Sequence, residues 1–584
     1  MTGAKTAKFA IAGAAVLIPA LAAAQTATQA GPTREEIRRD NLTGQIDQPR
    51  QGAAVSGDIE RAPCPLAQPR FEGITFTLRD VVFGNDSVIP AERLRPAWTG
   101  YVGQTVPLSV ICDIRDRAAT IIRSEGYLAS VQVPPQEIGD DGIVRMDLLT
   151  ARVSRVQVRG DPGNSEGTVQ SYLQPLIDQP AFNQREAERQ LLLMRTLPGY
   201  DSRLTLRPSD TPGEVIGDVI IDRTKYVLEG SVQNYGPRSS GRFGGQIRAQ
   251  INDVTGLGDQ TSIGFYSTAD FDEALVLTVA HDFALGGSGA RLGGEFTYAW
   301  NDPTIAGQSP FDTETLIASG WLRYPFLLDQ GTQIIGSTGF DVIDQDIEFG
   351  GVLLNRDRIR VAYTRVDMGF TDRASIEGYR GFSAQEPRWR AGLSAELRQG
   401  IDVFGATERG FLPGGVSQTR VAGRSDATVI RLEGFAELRP QPGLAFVFLP
   451  RAQLAFDPLL SYEEFSAGNY TVGRGYDPGA IIGDSGIGFR YEIQGGSLVP
   501  RTRNDLAWQA YGFFDAAWIE NDDPPAFNPV RADSIYSAGF GVRGVWGDRG
   551  RFDVALAVPL RRTDLQTETP DVRLLASVTL RFAQ

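Results

Sequence analysis

The sequence predicts a mainly β protein in which an antiparallel β-barrel of about sixteen strands spans a membrane and follows two smaller α/β domains. Three observations lead to this fold class. Apolar and polar residues alternate through the C-terminal part of the chain. After the first residues, no run approaches the roughly 18 apolar residues of a spanning helix. The N-terminus also has the composition of a secretory leader.

The leader consists of a short charged region, an apolar run and a small-residue stretch. Lys5 and Lys8 supply the charge, residues 9–21 are apolar, and three alanines end at residue 24. This order is typical of a cleaved signal peptide, which we assign to residues 1–24. An exported chain without a spanning helix can cross a membrane only as a closed barrel, because only closure pairs every backbone group.

Composition excludes several function classes. The chain of 584 residues is too long for one domain, and its net charge of -14 argues against a nucleic-acid partner. Its only histidine is His281, and it has no P-loop. We therefore predict that the protein is not an enzyme and needs no metal or cofactor.

Residues 25–70 are predicted to hold an N-terminal helix and a linker. Thr33 can cap a mixed-charge helix over residues 34–39, and residues 52–70 are rich in Gly, Ala and Pro. Two interpretations remain open for this segment. It is either a solvated tail or a removable plug.

Two cysteines, Cys64 and Cys112, remain in the exported chain. A disulfide persists in an oxidising compartment, so the pair can form a bridge. Two unpaired thiols are the alternative.

Two α/β blocks follow, over residues 71–150 and 151–225. Both show the order β-α-α-β-β, read from apolar periodicity and from the Gly and Pro residues that end the elements. In the first block the expected elements are a strand at 74–83, helices at 90–101 and 107–125, and strands at 128–133 and 143–149. In the second they are a strand at 153–158, helices at 168–177 and 184–197, and strands at 203–207 and 215–221.

The barrel is assigned to residues 226–584. At the C-terminus, Leu574, Val578 and Phe582 alternate with residues such as Arg573 and Ser577. A soluble sandwich would also alternate, but its inward positions would form an apolar core instead of carrying Arg, Ser, Thr and Gly. Roughly 350 residues, at about 22 per strand and turn, give about sixteen strands.

An arginine in a long loop and an aspartate on a strand form the candidate site. Arg474 lies between Gly473 and Gly475, where the backbone can bend sharply. Asp515 occupies an inward position of an apolar strand and needs a partner. Counting strands back from a periplasmic C-terminus places the loop at residues 457–482 on the extracellular side. To reach Asp515, this loop must fold back into the barrel.

Two further motifs are interpreted as structural. Residues 539–544 match G-x-G-x-x-G but lie inside an alternating strand with no helix after it, so we regard the match as chance. The acidic run from Glu520 to Asp523 could bind cations, but we predict a solvated turn.

Together, these features resemble the TpsB transporters of two-partner secretion. The resemblance rests on the leader, the helical tether, the two blocks, the barrel, the Arg-Gly-Tyr loop and the Phe-x-Asp strand, and it covers nearly the whole mature chain. It identifies the two blocks as POTRA domains, and residues 122–128 look like the helix-to-strand passage of the first one. TpsB transporters are related to BamA-type barrel-assembly proteins.

The resemblance implies roles for particular residues. In the family, the arginine of a Val-Arg-Gly-Tyr/Phe loop tip pairs with the aspartate of a Phe-x-Asp-x-Gly strand. Carried over, the loop-barrel latch consists of Arg474, Gly475, Tyr476, Phe513 and Asp515. The family's paired cysteines match Cys64 and Cys112, which makes the disulfide the preferred interpretation.

This chain departs from the family pattern at three places. Gly473 replaces the valine before the arginine, and Ala517 replaces the last glycine of the strand motif. The chain also ends in Phe582-Ala583-Gln584 instead of a terminal aromatic residue.

The resemblance also implies a function and partners. A monomeric barrel in the outer membrane of a Gram-negative bacterium, with its POTRA domains in the periplasm, would recognise an unfolded β-helical exoprotein and secrete it without a nucleotide. Outer-membrane lipid would be its second partner. The alternatives are a BamA-type assembly factor that inserts other barrels, and a passive porin. For the latch, the alternative to a conformational role is a static ion pair.

Overall fold

The computed structural model describes residues 31–38, 55–56, 64, 66, 68–84, 88–211, 213–304, 310–408, 415–502, 504–524, 528, 530–564 and 566–583. The predicted signal peptide lies outside them, as does most of the linker. The chain forms two compact units, one built around a barrel and the other around the α/β blocks.

Two short elements precede the α/β blocks. Helix α1 (Arg34–Ile37) begins after Thr33, which forms a capping box with Glu36: the Thr33 side chain accepts from the Glu36 N–H, and the Glu36 carboxylate accepts from the Thr33 N–H. Strand β1 (Val55–Ser56) belongs to the second α/β block, where it adds in parallel to that block's sheet.

The first α/β block contains β2 (Thr75–Thr77), β3 (Asp80–Gly84), α2 (Ala91–Leu94), β4 (Thr105–Pro107), α3 (Val110–Ser124), β5 (Ala129–Gln132) and β6 (Ile143–Thr150). Its main sheet has the order β3-β6-β5, with β3 parallel and β5 antiparallel to β6. Ile114, Ala118 and Ile122 line the buried face of α3 and pack in the core under this sheet. Cys112 of α3 forms a disulfide with Cys64.

Two predictions for this block were wrong in detail. The helix expected over residues 90–101 is broken into α2 and two 3-10 turns, because Pro96 has no N–H to donate and its ring crowds the preceding turn. The strand expected over 74–83 is divided, because β2 pairs with β4 while β3 pairs with β6.

The second block repeats the topology of the first. It contains β7 (Arg152–Gly160), α4 (Glu166–Asp178), α5 (Gln184–Met194), β8 (Tyr200–Pro208) and β9 (Glu214–Arg223). Strand β7 runs parallel and β8 antiparallel to β9, as β3 and β5 do to β6. Asn183 caps α5 by accepting from two N–H groups of its first turn. The repeated β-α-α-β-β order is therefore confirmed.

The barrel is closed and antiparallel, and it has sixteen strands, as predicted. Its first eight strands are β10 (Tyr226–Gln233), β11 (Gly244–Asn252), β12 (Gln260–Thr268), β13 (Ala274–Ala284), β14 (Arg291–Asn301), β15 (Phe311–Leu328), β16 (Thr332–Phe349) and β17 (Val352–Thr371). The next three are β18 (Trp389–Gly400), β19 (Thr428–Gln441) and β20 (Leu444–Ala455). After the long loop, which carries β21 (Phe465–Ala467) and β22 (Ile481–Gly483), come β23 (Ser485–Gly496), β24 (Leu506–Glu520), β25 (Ala532–Trp546), β26 (Gly550–Pro559) and β27 (Arg573–Ala583).

Side chains alternate between the two faces of the barrel wall. On β24, the outward Trp508, Phe514 and Trp518 are exposed, whereas the inward Tyr511 and Asp515 are buried. β10 pairs with β27, so no edge strand is left and the sandwich alternative is excluded. Among the residues that the structure describes, no helix has both the length and the apolar character needed to cross a membrane.

Helix α1 lies inside the barrel. Ile37 packs with Tyr266, Ile317 and Ile343, which are buried residues of the inner wall. The Arg38 guanidinium donates to the Ser319 hydroxyl across 3.4 Å. The solvated-tail interpretation is therefore wrong for residues 31–38, which are enclosed by the bore.

Candidate functional site

The tip of the loop between β20 and β23 meets the inner wall through Arg474. Its Nη2 lies 2.6 Å from Oδ1 of Asp515, and its Nε lies 3.0 Å from Oδ2. The backbone N–H of Arg474 also donates to Oδ2, across 2.9 Å. This two-pronged geometry matches a guanidinium to a carboxylate in both charge and shape. The structure thus brings together the two residues that the sequence singled out.

Asp515 is fully buried, and the Arg474 side chain is nearly so. The Arg474 guanidinium lies over the ring of Phe513, with its carbon 3.7 Å from the ring centroid. Although burial opposes the charged form, Asp515 and then Glu492 outweigh it and raise the pKa of Arg474 above its ordinary value. The cation therefore stays charged in this enclosed place.

Glycines allow the loop tip to approach the wall. Gly473 has a φ of +116°, and a Cβ at this position would come within 2.5 Å of the Ile535 side chain. A Cβ on Gly475 would lie 2.8 Å from the Pro559 backbone nitrogen. The departure from the family's valine at Gly473 follows from this backbone, because a β-branched residue does not tolerate that φ.

Tyr476 attaches the tip to the next strands. Its hydroxyl donates to the Arg561 carbonyl across 2.6 Å and accepts from the Arg561 N–H across 3.2 Å. Arg573 of β27 binds both the Tyr476 carbonyl and the Asp477 carboxylate. Ala517, which replaces the family's glycine, is buried in the same apolar cluster as Tyr476. The tip therefore contacts β24, β25, β26 and β27.

Three charged residues of this site were not found from the sequence. Glu492 of β23 lies 2.5 Å from Nη1 of Arg474 and 3.0 Å from Nη2 of Arg543. Arg543 in turn lies 3.3 Å from Asp553, which accepts from the Tyr511 hydroxyl across 2.6 Å. Strand alternation placed these side chains inward, but only the register of β23 to β26 brings them side by side. The arginine-aspartate pair is thus part of a longer row of alternating charges.

The N-terminal helix meets the same long loop. Glu35 forms ion pairs with Arg34 and with Arg451 of β20. Burial would raise the pKa of Glu35, but Arg34 and Arg451 outweigh burial and lower it to about 2. A Cβ on Gly479 of the loop would lie 3.1 Å from the methyl carbon of Thr33. The helix and the loop are therefore in van der Waals contact inside the bore.

A second buried charge cluster joins three extracellular loops, and we call it the loop clasp: Arg420, Glu464, Asp484 and Asp523. Nη2 of Arg420 lies 3.0 Å from Asp484 and 2.6 Å from Asp523, and its Nη1 lies 2.9 Å from Glu464. Asp484 also accepts the N–H groups of Leu459 and Asp522. The prediction of a solvated turn at residues 520–523 is wrong for Asp523, because Arg420, 103 residues away in sequence, covers its side chain.

One carboxyl of the clasp has a strongly shifted pKa. Burial raises the pKa of Glu464 from 4.5 to about 8; Arg420 opposes this shift, and Asp484 and Asp523 add to it. A single guanidinium does not compensate three buried carboxylates. Glu464 therefore holds its proton at neutral pH.

The clasp should loosen as the pH rises. Because the folded-state pKa of Glu464 lies above its ordinary value, its contribution to stability is complete below pH 4.5 and is lost as the pH rises through 8. The expected slope is at most about 1.4 kcal/mol per pH unit. Protease cleavage of the extracellular loops, followed from pH 5 to 8.5, should accelerate in the wild type and much less in Glu464→Gln. The exposed Glu520→Gln is the control, and an unchanged slope in Glu464→Gln would contradict this assignment.

The fold and the site together define a class: a sixteen-stranded outer-membrane barrel whose long loop returns into the bore and meets the wall through an arginine. Residues 356–544, which include Arg474 and Asp515, match the family model described as haemolysin secretion/activation protein ShlB/FhaC/HecB. Over these residues the barrel resembles the secretion proteins of that family.

Curated relatives and solved structures agree with this class. The chain is similar to the heme/hemopexin transporter protein HuxB of Haemophilus influenzae, at 25% identity over 223 residues, and the match spans 37% of this chain and 39% of that protein. It is also similar to the outer membrane transporter CdiB-2 of Burkholderia pseudomallei, at 25% identity over 32% of each chain. The fold is similar to that of CdiB from Escherichia coli, with a TM-score of 0.72 and 15% identity over 96% of this chain and 98% of that one. CdiB from Acinetobacter baumannii gives a TM-score of 0.65 at 15% identity, over 96% of this chain and 99% of that one.

Proposed function

We propose that this protein secretes an exported polypeptide, in unfolded form, from the periplasm across the outer membrane. The family match over residues 356–544 carries the proposal, because it covers the loop tip and the strand that binds it. The relatives are named as transporters, and their matches span less than half of their lengths. In this proposal the protein lets a polypeptide pass through the barrel and catalyses no reaction.

The α/β blocks offer edges to which an extended chain can add as a strand. β3 and β5 are the edge strands of the first sheet, and β7 is an edge of the second. The other side of that second sheet already accepts two residues of the same chain: Val55 lies opposite Leu204 on β8, and Ser56 lies opposite Thr205. Backbone pairing of this kind captures a chain with little regard to its sequence. We propose an exoprotein with a β-helical passenger as the partner of these edges.

The bore has to change before a polypeptide passes. Helix α1 and the tip at Arg474 both occupy it in the described arrangement. The latch residues, Arg474, Gly475, Tyr476, Phe513 and Asp515, therefore hold the loop in one of two arrangements and take no part in catalysis. A passenger that folds outside the cell cannot slide back, which gives the transport a direction without a nucleotide. We propose that one monomeric barrel forms the path, with no nucleic acid, metal or cofactor involved.

Deletion of the gene tests this function against the barrel-assembly alternative. In a deletion strain, one large protein should disappear from the culture medium, while the amounts of other outer-membrane barrels should stay the same. Complementation with the full chain should restore the secreted protein. If many barrels decline together and no secreted protein is lost, the protein is an assembly factor instead.

A further inference from the structure

A second arginine, Arg490, lies beside the latch without a carboxylate partner. It belongs to β23, where Glu492 is buried and faces the bore, while Ile493 is exposed on the outside. Since side chains alternate along a strand, Arg490 also faces the bore. Within the described part of the chain it forms no ion pair, and its buried Nε has no hydrogen-bond partner. Arg490 is therefore a cation in the bore with unused donors.

Strand register places Arg490 next to Asp515. The two residues lie directly opposite each other on β23 and β24. Side chains at such positions share a face and have Cβ atoms about 4.5–5.5 Å apart, a distance that a guanidinium group can span. The Asp515 carboxylate attracts Arg490, whereas the Arg474 guanidinium, which already binds that carboxylate, repels it. Arg474 thus occupies the place that Arg490 would otherwise take.

The long loop holds Arg490 in its present position. Nη2 of Arg490 donates to the Asn469 carbonyl across 3.0 Å. Asn469 and Arg474 both lie between β21 and β22, and the Gly468 N–H donates to the Val472 carbonyl across 2.9 Å, which joins this part of the loop into one turn. A movement that takes Arg474 from the wall therefore also takes the Asn469 carbonyl from Arg490. The same movement vacates Asp515 and frees the arginine opposite to it.

Asp515 is the carboxylate that needs a new partner when the tip leaves. Among the residues that the structure describes, it accepts from the backbone and side chain of Arg474 and, across 3.4 Å, from the Ser537 hydroxyl. Glu492, in contrast, retains Arg543, whose Nη2 lies 3.1 Å and 3.0 Å from its two oxygens. A buried carboxylate without a cation is strongly unfavourable, so an unpaired Asp515 would oppose any movement of the loop.

We propose that Arg490 is the counter-ion of Asp515 when the latch is released. In the latched arrangement, Arg474 binds Asp515 and the loop holds Arg490. In the released arrangement, Arg474 departs with the loop and Arg490 binds Asp515. Asp515 is then paired in both arrangements, so the loop moves without leaving its charge buried alone. This inference rests on the proposed function, in which the loop has two arrangements, and it adds the wall residue that stabilises the second one.

The reactivity of a thiol under the tip measures how often the latch is released. Ser537 is fully buried, and a Cβ on Gly475 of the tip would lie 2.9 Å from its Cβ, so the thiol of Ser537→Cys is covered until the tip leaves. The two native cysteines are joined in a disulfide and do not react. In vesicles that contain the full chain, a water-soluble maleimide should label this thiol about tenfold more slowly when Arg490→Gln is added. Arg490→Lys, which retains the charge, should restore most of the rate.

An unchanged or faster labelling rate in Arg490→Gln would overturn the proposal. It would show that Arg490 only anchors the loop through the Asn469 carbonyl. If the thiol of Ser537→Cys reacts only in the unfolded chain, the tip does not leave the wall, and the proposal is overturned as well. The labelling requires no passenger, so its outcome is independent of the deletion experiment that tests transport.

Asp515→Asn distinguishes a counter-ion from a residue that only shapes the wall. Without the carboxylate there is no charge to neutralise, so Arg490→Gln should not slow the labelling of Ser537→Cys further in this background. Equal slowing in both backgrounds would contradict the proposal. Arg365→Gln is the matched control, because Arg365 also faces the bore but binds a carboxylate of its own, that of Asp367. It should leave the labelling rate unchanged.

Discussion

Arg474→Ala should abolish secretion while the barrel still inserts into the membrane. The substitution leaves two carboxylates, Asp515 and Glu492, buried without the guanidinium that both contact. Removing one partner of a buried pair costs about 3–5 kcal/mol, and here the loop tip also loses its attachment to the wall. Asp515→Ala should have a smaller effect on stability, because Arg474 keeps its ion pair with Glu492. The amount of passenger in the medium and the heat-modifiable mobility of the barrel measure the two effects separately.

Two further variants decide whether Arg474 and Asp515 act as a pair. Exchanging their charges, Arg474→Asp with Asp515→Arg, places a new carboxylate beside Glu492, so rescue should be partial and should improve when Glu492→Gln is added. If neither the charge-exchanged variant nor its combination with Glu492→Gln secretes the passenger, although the barrel is inserted, the pairing of Arg474 with Asp515 is contradicted. Arg238→Ala is the control, because its ion pair with Asp571 is exposed and such pairs contribute about 0–1 kcal/mol.

A disulfide cross-link distinguishes a latch that moves during transport from an ion pair that only stabilises the barrel. A Cβ built on Gly475 would lie 2.9 Å from Cβ of Ser537 and 2.8 Å from the Pro559 nitrogen, so the thiols of Gly475→Cys and Ser537→Cys meet only after the tip shifts, and the reduced double variant measures the effect of that shift by itself. If the loop moves during transport, the oxidised protein should not secrete and the reduced protein should recover. Equal secretion in both states would indicate that the ion pair only stabilises the barrel.

Arg420→Ala should release the extracellular loops. Among the described residues, it removes the only arginine that contacts the three carboxyl groups of the loop clasp, those of Glu464, Asp484 and Asp523. We expect a loss of about 3–5 kcal/mol, since the carboxylates of Asp484 and Asp523 then lie buried without their cation. Proteolysis of the loops on intact cells should become markedly faster. The proteolysis rate of Arg420→Lys should lie between those of the wild type and Arg420→Ala, because an ammonium group lacks the planar geometry with which a guanidinium binds two carboxylates.

Arg424→Ala is the matched control for the loop clasp. Arg424 belongs to the same loop and also binds two carboxylates, those of Asp426 and Asp457, but its side chain is 28% exposed. Exposed pairs contribute about 0–1 kcal/mol, so loop proteolysis should hardly change. Equal effects of the two substitutions would show that burial does not set the strength of the clasp.

Local signals in the sequence account for the general architecture. Alternation with a period of two predicted the barrel, because each strand is recognised from its own residues. The repeated order of elements predicted the two α/β blocks in the same way. Arg474 and Asp515 stood out because each is a charge in an unusual local setting, one between glycines and the other on an apolar strand. The position of α1 could not be predicted, since a polar helix with Arg34 and Glu35 looks the same in solvent as in a polar bore.

By itself, then, the sequence determined the approximate number of strands, which face of the C-terminal strands points outward, and the two residues that meet at the loop tip. Only the tertiary structure decided that Glu492 and Arg543 extend that pair, that Arg420 and Asp523 belong to one cluster, and that residues 31–38 lie in the bore. The physical reason is the distance along the sequence over which each kind of interaction acts. Alternation and capping act between residues a few positions apart, whereas the partner of a buried charge depends on strand register and loop path, which bring together residues as distant as Glu35 and Arg451.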